Sequence, residues 1–148
     1  MKLPKMIEED RKHIFDMIDF FLELNIIARR EGVLTLCEYC DDKDTWKFGA
    51  GKLRALPGVT QHEIDVFHLL LNLAISYAAD KEVVQEIARN LISTSDEIGG
   101  AQLAIMIGAQ AIVSIISFES TDVLRIRLAS MMNWPFCAEY YDDKREDL

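Results

Sequence analysis

Residues 98–118 read IGGAQLAIMIGAQAIVSIISF, a run of 21 residues without a charged side chain. A run of this length can span a bilayer, so a membrane-associated protein that inserts 98–118 is one hypothesis. The polar residues within the run fall inside an arc of about 120° on a helix and form one stripe: Gln102, Gln110, Ser114 and Ser117. Acidic residues flank it, and no adjacent Lys or Arg would set a membrane topology. We therefore expect no membrane span and interpret 98–118 as the central helix of a bundle.

Small residues recur at every fourth position of this helix, at Gly100, Ala104 and Gly108. Such a helix seam lets a neighbouring element approach the backbone closely. Tight packing inside one core explains the seam without invoking a membrane.

On both sides of this run, apolar residues recur at helical spacing. The spacing predicts further helices over about 8–39, 60–78, 81–94 and 122–133. Thr60 and Glu63 form a capping box, in which each side chain accepts a hydrogen bond from the other residue's backbone N–H. The fold class is therefore all-α, a compact bundle of five to six helices.

A chain of 148 residues is a common size for one domain, and we predict a single helical domain over 1–138. Residues 45–59 are predicted to be a connector. Trp134 and Pro135 are expected to end the last helix, because a residue before proline disfavours the helical conformation. The segment 139–148 holds seven charged residues in ten and is predicted to be an acidic, frayed C-terminal tail.

An internal similarity appears at an offset of 41 residues. Residues 75–77 match 116–118, and the apolar pattern of 83–91 matches that of 124–132. Each copy pairs a long apolar helix with a shorter amphipathic one. The pattern favours two repeated helical hairpins, and chance likeness between hairpins is the alternative.

The composition excludes several classes of function. Hydrophobic residues make up 50% of the chain, which excludes a disordered protein. Lys and Arg number 16 against 25 Asp and Glu, for a net charge of −9. Because phosphate contacts need basic side chains, we expect no nucleic-acid partner. The mean hydropathy of +0.05 is high for a small domain and suggests a surface for self-association, such as a homodimer.

The cysteines are Cys37, Cys40 and Cys137, an odd number that cannot fully pair. Together with the absence of an apolar signal-peptide core, they favour a reducing cytoplasm. A small cytoplasmic metal- or redox-binding protein built on these three is an alternative function. A structural zinc site normally needs four ligands, and the three histidines are scattered. The pair Cys37 and Cys40 is predicted at a helix C-terminus, which opposes a thiolate. We expect no metal, no cofactor and no catalytic residue, and hence no enzyme.

Residues 28–36 read ARREGVLTL, in which Arg29, Arg30, Glu31 and Gly32 interrupt an apolar helix. This segment resembles the ARREGLLALE signature in the cytoplasmic region of MotA-type flagellar stator proteins. Two further segments, 73–87 and 112–132, are similar to later helices of that family.

The chain also departs from the family pattern. The family's glycine and proline are missing at both helix breaks, and its four membrane helices have no counterpart. Arg29 falls on the family's torque-generating Arg position, whereas Cys37 falls on the Glu position and Glu38 follows it. The resemblance implies a non-enzymatic helical module that binds a flagellar rotor or stator component, another protein, or itself. Arg29, Arg30, Glu31 and Glu38 are the predicted partner-binding residues, which would steer association by charge.

Overall fold

The computed structural model describes residues 2–146. Within that range the chain is all-helical and has no strand, which confirms the fold class. Eight α-helices are present where five to six were predicted. They are α1 (Arg11–Glu31), α2 (Glu38–Asp41), α3 (Thr45–Phe48), α4 (Gln61–Ile75), α5 (Lys81–Ser93), α6 (Gly99–Ile116), α7 (Thr121–Ala129) and α8 (Trp134–Glu146).

The helices α1 and α6 pack side by side and run parallel. Asp10, just before α1, contacts Gly100 in the first turn of α6. At the other end, Arg29 in the last turn of α1 donates a hydrogen bond to the backbone of Phe118, just past α6. The starts of α1 and α6 therefore lie at one end of the bundle, and their ends at the other.

The helix α4 is also parallel to α6. His62 in its first turn lies in the same cleft as Ala101, and Phe67 further along contacts Gly108. The helix α5 runs in the opposite direction. Ser95, just beyond its end, forms a 3.3 Å hydrogen bond with His62 in the first turn of α4, so the end of α5 lies beside the start of α4. The helix α7 returns likewise, packing against α1 and α6.

The helix α6 lies at the centre, as predicted for 98–118, and packs against α1, α4, α5 and α7. It is also the one helix in the described range that is long and apolar enough to cross a membrane. Two thirds of it, 67%, is buried inside the protein. A helix with four helical neighbours buries its apolar surface against protein, which accounts for its composition.

The structure differs from the sequence prediction in the first helix and in the connector 45–59. The helix α1 ends at Glu31, because the following Gly32 has a φ of +93°, outside the helical region; the one-turn helices α2 and α3 come later. The connector is part of the core. Trp46 is fully buried, and its ring lies 4.7 Å from that of Tyr39 and 5.9 Å from those of Phe20 and Phe67.

The C-terminal segment holds a helix that the sequence does not predict. Residues 139–146 continue α8, and 147–148 lie outside the described residues; whether the acidic tail frays stays a prediction. Tyr140 is fully buried and donates a 2.7 Å hydrogen bond to Asp19 of α1. Burial and the neighbouring carboxylate raise the pKa of Tyr140. Pro135 lies in the first turn of α8, where its missing N–H costs nothing, and so starts a helix rather than ending one.

The two breaks, between α4 and α5 and between α6 and α7, share a backbone feature. Ala78 has a φ of +51° and Phe118 a φ of +58°, a left-handed conformation that L-residues adopt at a cost. Both residues follow the end of a helix, where glycine is the usual choice. This likeness concerns the turns alone, and duplication of the hairpins stays a prediction.

Candidate functional site

The predicted partner-binding residues lie where α1 ends. Arg29 and Arg30 occupy its last turn, where cations interact favourably with the negative end of the helix dipole. After Gly32 a 3₁₀ turn, Val33–Leu36, folds back against α1 and leads to Glu38. All four predicted residues are exposed to solvent.

The structure divides these four residues between different surroundings. Arg29 Nη1 donates a 2.6 Å hydrogen bond to the carbonyl oxygen of Phe118, on the α6–α7 side. Glu31 forms an ion pair with Lys52 on the connector side. Arg30 and Glu38 have no hydrogen-bond or ion-pair partner for their side chains in the part of the chain that the structure describes. Of the four predicted residues, Arg29 and Glu31 are therefore held by contacts within the protein, whereas Arg30 and Glu38 are unpaired in the described chain.

Large apolar side chains stand exposed at the same end of the bundle. Each parallel helix is followed within three residues by one of them: Leu34 after α1, Tyr77 after α4 and Phe118 after α6. Their exposed fractions are 69%, 73% and 60%. We call these three residues, together with Arg30, the helix-end face. The sequence shows each apolar residue, but only the parallel arrangement brings them to one end.

The α6–α7 break beneath Phe118 is held from several sides. Asn25 of α1 donates to the Glu119 carbonyl oxygen at 3.1 Å and to the Thr121 hydroxyl at 3.0 Å. Arg127 donates two hydrogen bonds, of 2.9 and 2.7 Å, to the Glu119 carboxylate. The Arg127 guanidinium lowers the pKa of Glu119 below its usual value. The backbone that presents Phe118 is therefore fixed by polar contacts.

All three cysteines are free thiols rather than disulfide partners. Cys37 precedes the four-residue helix α2 and Cys40 lies within it, so the pair is at a helix start and not at the predicted C-terminus. Burial raises the pKa of Cys40 to about 11 and also raises that of Cys137, which favours the neutral thiol. Among the described residues, no group of three His, Cys, Asp or Glu side chains is arranged to hold a metal ion.

The helix seam of Gly100, Ala104 and Gly108 is filled by side chains of this chain. A Cβ atom on Gly100 would lie 2.1 Å from the Asp10 carboxylate, and one on Gly108 would lie 2.1 Å from the Phe67 ring. Ala104 is fully buried. The seam thus admits α1 and α4 to close approach.

A histidine–carboxylate pair at the opposite end was not found from the sequence. His13 Nε2 lies 2.7 Å from the Glu63 carboxylate, which is buried and also accepts the 2.9 Å hydrogen bond of the Thr60 N–H. The Glu63 hydrogen bond raises the pKa of His13. The capping box signalled the position of Glu63, but no local pattern links it to a histidine 50 residues earlier. The pair borders a cleft of about 200 Å³ that His62 also lines.

No protein-family model, curated protein or solved structure matches the chain. The resemblance of residues 28–36 to stator proteins therefore stays an expectation.

Proposed function

We propose that this protein is a non-enzymatic helical interaction module that binds a protein partner, or a second copy of itself, through the helix-end face. The observation that supports it is the exposure of Leu34, Tyr77 and Phe118 at the ends of three parallel helices, with the exposed Arg30 in the last turn of α1. A contiguous exposed apolar patch, which these three residues would form if they lie together, is typical of a binding surface.

Burial of these three side chains would favour association. Burying one such side chain is worth about 1.5–3 kcal/mol, so three provide roughly 5–9 kcal/mol before the cost of association is subtracted. Aromatic side chains such as Tyr77 are frequent at the energetic centre of interfaces. The backbone beneath Phe118 is held by Asn25 and Arg29, so little ordering would be needed there.

The charge of Arg30 is suited to selecting the partner. Arg30, and Glu38 outside the face, are exposed and unpaired in the described chain, so each can meet an opposite charge without losing an existing contact. Such charges act mainly on the association rate and on specificity. Arg29 is already bound to the Phe118 carbonyl, so Arg30 is the more informative residue to change. Rotor or stator components, implied by the resemblance, are the first partners to examine.

The test uses the tagged protein purified from its own host, followed by reconstitution with each purified candidate partner. The informative variants are Arg30→Glu and the double variant Leu34→Ser with Tyr77→Ser. Trp134→Ser is the matched control, because Trp134 is 76% exposed and adjoins Asn133, which hydrogen-bonds to Met6 at the opposite end. Sedimentation equilibrium on the same variants measures self-association.

Loss of the complex or dimer in the face variants and its retention in Trp134→Ser support the proposal. Equal binding by all variants, or a loss confined to Trp134→Ser, contradicts it. A thermal melt of each variant separates unfolding from loss of contact.

A further inference from the structure

A cleft of about 370 Å³ lies between α5 and α6 and shares no residue with the helix-end face. Its walls are mainly apolar, formed by Ala88, Ile92, Met106, Ala109, Val113 and Met131. Small side chains on both helices, Ala88 and Ala109, leave space that larger ones would fill. The volume falls within the range of about 300–1,000 Å³ found for small-molecule sites.

Two segments from elsewhere in the chain contribute to the cleft. Leu3 comes from the extended N-terminal segment, and Met131 from the link between α7 and α8. That N-terminal segment is tied down at Met6, whose N–H and carbonyl both hydrogen-bond to Asn133, at 3.2 and 3.3 Å. Met106 and Met131 have flexible, polarizable side chains that adapt to the shape of an apolar ligand.

Polar groups border this apolar space. Arg89 lines the cleft and is exposed, and its guanidinium has no hydrogen-bond or ion-pair partner among the described residues. Gln110 donates to Ser114 at 3.1 Å, and Gln85 is half-buried. Because a guanidinium matches a carboxylate with two parallel hydrogen bonds, the cleft complements a molecule with an apolar chain and an anionic head.

We propose that the α5–α6 cleft binds a single-chain anionic amphiphile, a fatty carboxylate whose chain lies between α5 and α6 and whose carboxylate meets Arg89. The net charge of −9 disfavours anions over most of the surface, so the head group is placed by the unpaired guanidinium. The same chemistry is present in a free fatty acid and in an anionic bilayer lipid. The concave cleft between two helices favours the free, single-chain form.

The methionines provide a direct readout. We would record the ¹³C-methyl methionine NMR spectrum during titration with dodecanoate below its micelle-forming concentration. Met106 and Met131 line the cleft, whereas Met17 is fully buried in the core and serves as the internal control. The expected result is a saturable 1:1 shift of Met106 and Met131 with Met17 unmoved. Equal shifts of all methyl signals, or no saturable shift, overturn the proposal.

Variants separate the roles of the head group and the chain. Arg89→Gln should weaken dodecanoate binding about tenfold or more, because a charged hydrogen bond is lost. Lys47→Gln removes an exposed cation outside both the cleft and the helix-end face and should bind as the unchanged protein does. Gln85→Phe introduces a ring at the half-buried border and should abolish binding, with the native Met17 signal reporting a folded core. Equal affinity of Arg89→Gln and Lys47→Gln would contradict the assignment of Arg89.

Two further binding experiments distinguish a free fatty carboxylate from other amphiphiles. Decyltrimethylammonium carries a similar chain with a cationic head and should produce no saturable shift of Met106. Vesicles that contain an anionic phospholipid should bind the protein weakly by co-sedimentation. Strong vesicle binding that leaves the Met106 signal unmoved would assign the affinity to a bilayer surface and overturn the proposal.

Discussion

Arg29 and Phe118, 89 residues apart in sequence, are joined by a 2.6 Å hydrogen bond from the guanidinium to the backbone carbonyl. The contact links the last turn of α1 to the break between α6 and α7. It also supports a residue in the left-handed conformation, since Phe118 has a φ of +58°. The arginine that the sequence assigns to partner binding is therefore also a fold contact.

This relationship predicts different effects for two adjacent arginines. Arg29→Ala should lower the free energy of unfolding by about 1 kcal/mol, because it removes a charge-assisted hydrogen bond at an exposed position. Arg30→Ala removes the same side chain without a partner and should change it by less than about 0.5 kcal/mol. Urea unfolding followed by circular dichroism measures both. Equal effects of the two substitutions would show that the Phe118 contact adds nothing to stability.

The second prediction concerns the left-handed residue Ala78. Its φ of +51° costs an L-residue about 1–2 kcal/mol, and glycine adopts this conformation freely. Glycine also gains about 0.4–1 kcal/mol of entropy in the unfolded chain, so Ala78→Gly should stabilise by about 0.5–1 kcal/mol net. Ala101 is exposed in the first turn of α6, and Ala101→Gly should destabilise by up to about the same amount. Urea midpoints of the two variants should shift in opposite directions, and a shift in the same direction would contradict the account.

Helical periodicity was sufficient to predict the all-α class and the central position of α6, because both depend on local spacing. It did not predict that Trp46 is a core residue, since a single one-turn helix has no repeating pattern. The sequence predicts a charged tail around Tyr140, because charge density dominates the composition of 139–148. Its burial depends on pairing with Asp19, more than a hundred residues away.

The candidate site, like the fold, could be predicted from the sequence only in part. The charges of Arg29, Arg30 and Glu31 are evident in the sequence, but their separation on different sides of α1 depends on tertiary contacts with Phe118 and Lys52. The cleft between α5 and α6 was not predictable, because its shape follows from how the helices pack rather than from any motif.

The third prediction concerns pH and the pair of His13 and Glu63. The Glu63 hydrogen bond raises the pKa of His13 in the folded state above its ordinary value of 6.5. The folded state therefore holds this proton more tightly than the unfolded state does. The stabilisation is complete below about pH 6.5 and is lost as the pH rises through the raised pKa.

Urea midpoints between pH 5.5 and pH 8.5 would measure this loss. His13→Gln removes the titrating group and should flatten the dependence over the same range, while NMR titration of the His13 ring gives its folded pKa directly. The same slope in both proteins would show that the pair does not contribute to the pH dependence.

The fourth prediction tests how α4 and α6 fit together at Gly108. A Cβ atom there would lie 2.1 Å from the Phe67 ring, a separation that forces either the ring or the helix to move. Because Phe67 is fully buried, Gly108→Ala should destabilise the protein by about 1–3 kcal/mol despite the higher helix propensity of alanine. In the double variant Gly108→Ala with Phe67→Leu, the smaller side chain makes room for the methyl group. The cost of the pair should then be less than the sum of the two single costs, because contacting residues couple. Additive costs in the urea-unfolding cycle would show that the methyl group is accommodated without meeting Phe67.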